Sequence, residues 1–93
     1  MISKCHLKIT GKVQGVAFRY YTKLKAEELG LMGTTENKSD GSVETIVVGH
    51  EAKINAFVQW CQTGSPASRV EEVIMLSLGE GRIEDYTRFT ILR

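Results

Sequence analysis

The chain has 93 residues, 42% of them apolar and 25% charged, which suits one small domain, 1–93, built on a single core. Twelve Lys and Arg against eleven Asp and Glu leave a net charge of +1, so no long-range field points to nucleic acid or to a membrane surface, and neither is expected as a partner. No run of about 18 apolar residues offers a membrane span, and no leader-like stretch precedes the first strand pattern, so the cytoplasm is the expected compartment.

From Lys4 to Thr10, Cys5, Leu7 and Ile9 alternate with polar residues, the period of a strand with one wet face. His6 falls on that wet face and reads as solvated. A helix is expected to open near Val16 to Phe18 and run to Leu29, with Phe18, Tyr21 or Thr22, Ala26 and Leu29 on its sheet-facing stripe and Gly30 closing it. A short strand follows over 34–38. Asp40-Gly41 is the strongest hairpin signal in the chain, and residues 42–49 form the returning strand, Val43, Thr45 and Val47 on one face and Ile46 and Val48 on the other. A second helix over 51–62 places Ile54, Phe57, Val58 and Cys61 at i, i+3, i+4 and i+7, with Trp60 at the border of the stripe. The segment 63–66, which contains Gly64 and Pro66, ends it. A β-rich run over 69–78, a turn-rich segment over 79–85 and a last short strand over 87–92 complete the chain. Cys5 and Cys61 are too few for a disulfide scaffold and lack redox-pair spacing; two buried thiols are the preferred reading, with a single bridge left open.

The order β-α-β-β-α-β with a short extra strand predicts an α+β ferredoxin-like sandwich, two helices covering one face of an antiparallel sheet. Right-handed crossovers make the first two strands parallel, which carries Asn37 to the same end of the sheet as the loop after the first strand. That loop reads G-K-V-Q-G-V-A-F-R from Gly11 to Arg19. A glycine turn entering a helix N-terminus exposes main-chain N–H groups without helical partners, which can converge on a tetrahedral anion. Gly15 permits the tight curl, Phe18 anchors the first turn, and Arg19 can reach the mouth with a planar fork of donors. The spacing fits neither G-x-x-x-x-G-K-[ST] nor G-x-G-x-x-G, so no nucleotide is implied. On spacing alone a plain turn with a surface arginine stays open.

The run G-K-V-Q-G-V-A-F-R closely resembles the acylphosphatase signature G-x-V-Q-G-V-x-F-R. The segment G-T-T-E-N-K-S-D-G-S-V-E, Gly33 to Glu44, resembles that family's second block, and L-G-L-M-G at Leu29 to Gly33 and G-S-P-A-S-R-V-E at Gly64 to Glu71 are similar too. The resemblance spans nearly the whole chain. It implies the same ferredoxin-like fold and hydrolysis of a small-molecule acyl phosphate to a carboxylate and inorganic phosphate, with no metal and no organic cofactor. The family's catalytic arginine maps onto Arg19 and its asparagine onto Asn37. The phosphate-binding main chain maps onto Gln14, Gly15, Val16, Ala17 and Phe18. A monomer is the default expectation.

Three positions depart from the family's pattern: Thr34 replaces an aromatic, Thr35 a small apolar residue and Glu36 a basic one. Glu36 would oppose a dianion if it faced the site, although strand alternation should point it away from Asn37. It keeps open a second reading, a phosphate- or acyl-phosphate-binding module with weak or no turnover. Among the remaining polar residues, His50 lacks partners at ligand spacing and Asp40 is accounted for by its turn. Arg69 suits an ion pair with Glu71 or Glu72 as well as a substrate role, and Lys38 suits either a solvated strand end or the steering of an anion. The exposed sheet face would lack the paired aromatics of an RNA-recognition sheet.

Overall fold

In the computed structural model, which describes residues 1–92, the elements follow the expected order; position 93 of the expected domain lies outside the described residues. They are β1 (Ile2–Lys12), α1 (Phe18–Glu28), β2 (Met32–Asn37), β3 (Val43–His50), α2 (Glu51–Thr63), β4 (Arg69–Glu80), a 3-10 turn (Ile83–Asp85) and β5 (Phe89–Ile91). Both helices pack on a five-stranded sheet of order β4-β1-β3-β2-β5. The four long strands pair antiparallel, whereas β5 joins β2 in parallel, Gly33 opposite Phe89 and Thr35 opposite Ile91. The sheet is therefore mixed, a refinement of the antiparallel expectation. Strand β4 also bulges twice against β1, between His6 and Leu7 and between Thr10 and Gly11.

The core forms where alternation on the strands meets the helical stripes. Cys5, Leu7 and Ile9 of β1 and Val43 and Val47 of β3 face Phe18 and Ala26 of α1 and Ile54, Phe57 and Cys61 of α2, with Phe89 of β5 closing one end. Each fully buried Leu, Ile, Val or Phe contributes about 1.5–3 kcal/mol of transfer free energy. Thr22, not Tyr21, takes the inward position on α1, its hydroxyl donating to the Phe18 carbonyl at 2.8 Å. Trp60 lies at the border as expected, its ring 6.0 Å from Phe18 and 6.2 Å from Phe57. Both cysteines are free and buried, and burial pushes both thiols above their ordinary range.

Two of the departures in β2 find their counterparts here. Thr35 is fully buried, and its hydroxyl meets that of Thr45, its register partner on β3, at 2.8 Å, so a polar pair is satisfied inside an apolar layer. Glu36 faces the opposite, helix-free side of the sheet and pairs with Lys38 at 2.7 Å. On that same face His6 meets Glu44 at 2.8 Å.

Candidate active site

Chain direction brings two segments to one end of the sheet. The loop between β1 and α1 leaves beside the last residue of β2, and the parallel addition of β5 lays Ile91 alongside. A cavity of about 210 Å³ opens there, lined by Val13, Gly15, Ala17, Phe18, Arg19, Tyr20, Asn37 and Ile91.

The loop is shaped by two left-handed residues, Gly15 at φ 73° and Ala17 at φ 59°. For alanine that conformation costs about 1–2 kcal/mol, which marks the turn into α1 as a place where the surrounding fold dictates the backbone. Ala17 occupies the N-cap of α1 without a capping side chain, and the first turn carries no acid. The positive end of the helix is thus left uncompensated by the chain itself. Among the described residues, no main-chain N–H from Gln14 to Ala17 donates to a protein acceptor, and the Phe18 N–H belongs to the helix positions that lack an intrahelical acceptor. The first helical bond runs from the Tyr21 N–H to the Ala17 carbonyl.

Behind the loop the fold is braced. Phe18 is buried in the core and Val16 packs against it, while the Ser65 hydroxyl donates to the Val16 carbonyl at 3.1 Å. Gln14 turns its carboxamide away from the cavity and donates from Nε2 to the carbonyls of Lys38 and Ser42, each at 2.8 Å. Of the sequence-predicted residues, Gly15, Ala17, Phe18, Arg19 and Asn37 line one space, whereas Gln14 and Val16 border it only through the chain.

Arg19 sits in the first turn of α1 and is exposed. Its Nη1 donates to the Leu92 carbonyl at 2.9 Å, which holds the guanidinium at the cavity while most of its five N–H donors stay available. Asn37 closes β2. Its Oδ1 is buried and accepts no hydrogen bond from any described residue, an unmet acceptor on a residue that lines the cavity. Lys38, directly after it, is tied to Glu36, whose carboxylate raises the lysine's pKa. Asp40 serves its turn: Oδ1 accepts from the Ser42 N–H at 3.0 Å and the Ser42 hydroxyl at 2.6 Å, and Oδ2 pairs with Lys8 at 2.9 Å. Arg69 stands in register with Lys12 and does not line the cavity. Among the described residues no His, Cys, Asp and Glu gather as a metal-binding group, and no helix is long and apolar enough to cross a membrane.

Sequence reasoning missed Val13, Tyr20 and Ile91 as walls, the Leu92 carbonyl as the support of Arg19, and Ser65 as the brace of the loop. Val13 and Tyr20 could have been inferred from their places beside Gly15 and Arg19. Ile91 and Leu92 could not, because their position depends on the partner of β5.

The class defined by fold and site is a ferredoxin-like α+β sandwich in which an uncapped helix N-terminus, a guanidinium held by one main-chain carbonyl and a carboxamide surround one small cavity. Comparison with known proteins narrows the class. The acylphosphatase family profile matches residues 5–91. The chain is 45% identical to an acylphosphatase of Syntrophobacter fumaroxidans, over 89% of this chain and 79% of that one, and 44% identical to one of Paenarthrobacter aurescens, over 85% of each. The crystal structure of acylphosphatase from Bacillus subtilis superposes over the whole of both chains with a TM-score of 0.91 at 32% identity. The chain belongs to the acylphosphatase family.

Proposed function

We propose that this acylphosphatase-family enzyme hydrolyses the carboxyl–phosphate bond of small acyl phosphates, with Arg19 and Asn37 as catalytic residues and the main chain of residues 14–18 as the phosphate cradle. The observation that carries the reading is that Arg19 and Asn37 line one cavity at an unneutralised helix N-terminus whose loop N–H groups have no described protein acceptor.

In this mechanism the guanidinium and the loop N–H groups hold the three non-bridging phosphoryl oxygens. Charge spreading onto those oxygens in the transition state is met by donors already in place, the dominant contribution in phosphoryl transfer. Asn37 is too weak a base to take a proton, so it acts by position: its unmet Oδ1 accepts one O–H of the attacking water and aims the oxygen at phosphorus. The P–O bond to the acyl group breaks and a carboxylate departs. Its conjugate acid has a pKa of about 4, so the leaving group needs little protonation. The water's proton passes to a phosphoryl oxygen, giving carboxylate and inorganic phosphate with atoms balanced and no metal or cofactor required.

The test is hydrolysis of benzoyl phosphate, followed by its loss of absorbance in the presence of a chelator. Turnover with competitive inhibition by inorganic phosphate is expected. Arg19→Ala should lose about a hundredfold or more in kcat/KM, because one preorganised donor is worth about 3 kcal/mol and Arg19 supplies several. Near-wild-type turnover by that variant would remove Arg19 from the mechanism. Phosphate binding without any hydrolysis would leave a binding module.

A further inference from the structure

We propose that the Gln14 side chain is a positioning residue that locks the anion loop to the hairpin carrying Asn37, so that the phosphate cradle and the water-orienting carboxamide keep a fixed separation. The proposal rests on the reading of Asn37 given above. Gln14 stands at the start of the loop, and its Nε2 reaches 24 and 28 residues along the chain to the carbonyls of Lys38 and Ser42, both at 2.8 Å. A primary amide has two N–H donors on its nitrogen, and here both are engaged.

The two carbonyls are the ends of the β2–β3 turn. Lys38 directly follows Asn37, Ser42 directly precedes β3, and the Lys38 N–H donates to the Ser42 carbonyl at 2.8 Å. Gln14 therefore grips the closed end of the hairpin as one unit. Asn37 has no comparable restraint of its own, since Oδ1 accepts no hydrogen bond from a described residue. Its place opposite the loop is inherited from the backbone beside it, which is what Gln14 holds. On the other side of the cavity, the left-handed Gly15 and Ala17 make the loop an irregular segment. Its braces are Ser65 behind Val16 and Gln14 toward the hairpin. Because the Gln14 side chain does not line the cavity, its effect on the reaction passes through the placement of Asn37 relative to the loop. A displacement of about 1 Å between reacting groups can lower a rate by about a hundredfold, so a tether at this point has leverage out of proportion to its two hydrogen bonds.

The experiment is a double-mutant cycle on Gln14→Met, which keeps length without donors, and Asn37→Ala, read by benzoyl phosphate hydrolysis and by the inhibition constant of inorganic phosphate. Q14M should lower kcat by about tenfold or more while the phosphate inhibition constant stays within about twofold, since Arg19 and the loop N–H groups remain. In the N37A background Q14M should have no further effect, because the group it positions is gone. Multiplicative losses in the double variant, an unchanged kcat in Q14M, or a phosphate constant that rises in step with the loss of kcat would overturn the proposal. If N37A itself turns over like wild type, the reading of Asn37 fails and takes this proposal with it; a slow N37A with multiplicative losses overturns the tether alone. Thermal melts establish that each variant is folded at the assay temperature. Should Q14M not fold, Gln14→Asn, which keeps the donors one methylene short of the carbonyls, serves in its place with the same expected split between kcat and phosphate affinity.

Discussion

Replacing Asn37 by Ala separates catalysis from stability, because the proposed mechanism and the unmet Oδ1 together predict opposite signs for the two effects. The Asn37 Oδ1 is buried and meets no donor from a described residue. A carbonyl oxygen without a protein donor adds no stability of its own and costs up to about 1–3 kcal/mol to the extent that it is desolvated. Deleting it removes that cost, against the loss of the few van der Waals contacts of one short side chain on a half-buried strand end, each about 0.1–0.2 kcal/mol. The net change in unfolding free energy is expected between zero and about +2 kcal/mol. In a domain of this length each kcal/mol moves the melting temperature by about 4–8 °C, so the variant should melt at or above the wild-type temperature. Turnover should move the other way. In the proposed mechanism Asn37 aims the water, so its loss should remove a transition-state contact worth about 3 kcal/mol, or about a hundredfold in kcat, with phosphate inhibition nearly unchanged. Thermal unfolding by circular dichroism and steady-state hydrolysis of benzoyl phosphate measure the two. A melting temperature lowered by more than about 5 °C would show that Asn37 holds the fold, and unchanged turnover would show that it does not orient the water.

Gly33→Ala should be the most damaging small substitution in β2: a Cβ there would drive into the Ile46 carbonyl of β3, on a backbone at φ 141°. A loss of about 3 kcal/mol, the upper end of ordinary overpacking, is expected, read as a lower urea midpoint, and a wild-type midpoint would contradict the close approach. Asp40 supplies a pH dependence. The Lys8 ammonium, followed by the Ser42 hydroxyl and N–H, holds its carboxyl well below the ordinary 3.8. The unfolded chain therefore binds this proton more readily, so the contribution is complete above about pH 4 and fades as pH falls through the folded value. Asp40→Asn should lower the urea midpoint at pH 7, and the gap to wild type should narrow at pH 3; a gap independent of pH would refute the linkage.

Most of the fold was legible because local pattern and tertiary demand agree along the chain. Cys5, Leu7 and Ile9 alternate and are buried, and Ile54, Phe57 and Cys61 recur at helical spacing and are buried. Boundaries drifted where a partner strand decides them. Strand β2 begins at Met32 rather than Thr34 because Met32 and Gly33 pair with Val48 and Val47, and β4 runs on to Glu80 because Ser3 and Lys4 of β1 continue the ladder. Side-chain placement at the site followed a similar divide. The lining positions of Arg19 and Asn37 followed from chain direction and spacing. The direction of Gln14 did not, since its partners lie in another hairpin and nothing in a glutamine's own surroundings announces two distant carbonyls. The helix start at Phe18 was blurred for a further reason: Ala17 adopts a left-handed conformation that its residue type does not favour.

The acid at position 36 was the strongest objection to a working phosphate site, and the register of the sheet disposes of it. Asn37 and Glu36 are neighbours in a strand, so their side chains leave by opposite faces. Glu36 emerges among Lys38, Glu44 and His6 on the face away from the helices, while Asn37 borders the cavity. A unit charge about 10 Å from a dianion in a water-like dielectric is worth about 0.8 kcal/mol, and Lys38, 2.7 Å from Glu36, cancels most of that field at the proposed site. The adjacent departure, Thr35, is matched by Thr45 in the same manner, hydroxyl to hydroxyl. Two of the three unusual residues in β2, Thr35 and Glu36, are thus each met by a partner at ladder or next-neighbour distance, which insulates the proposed site from both.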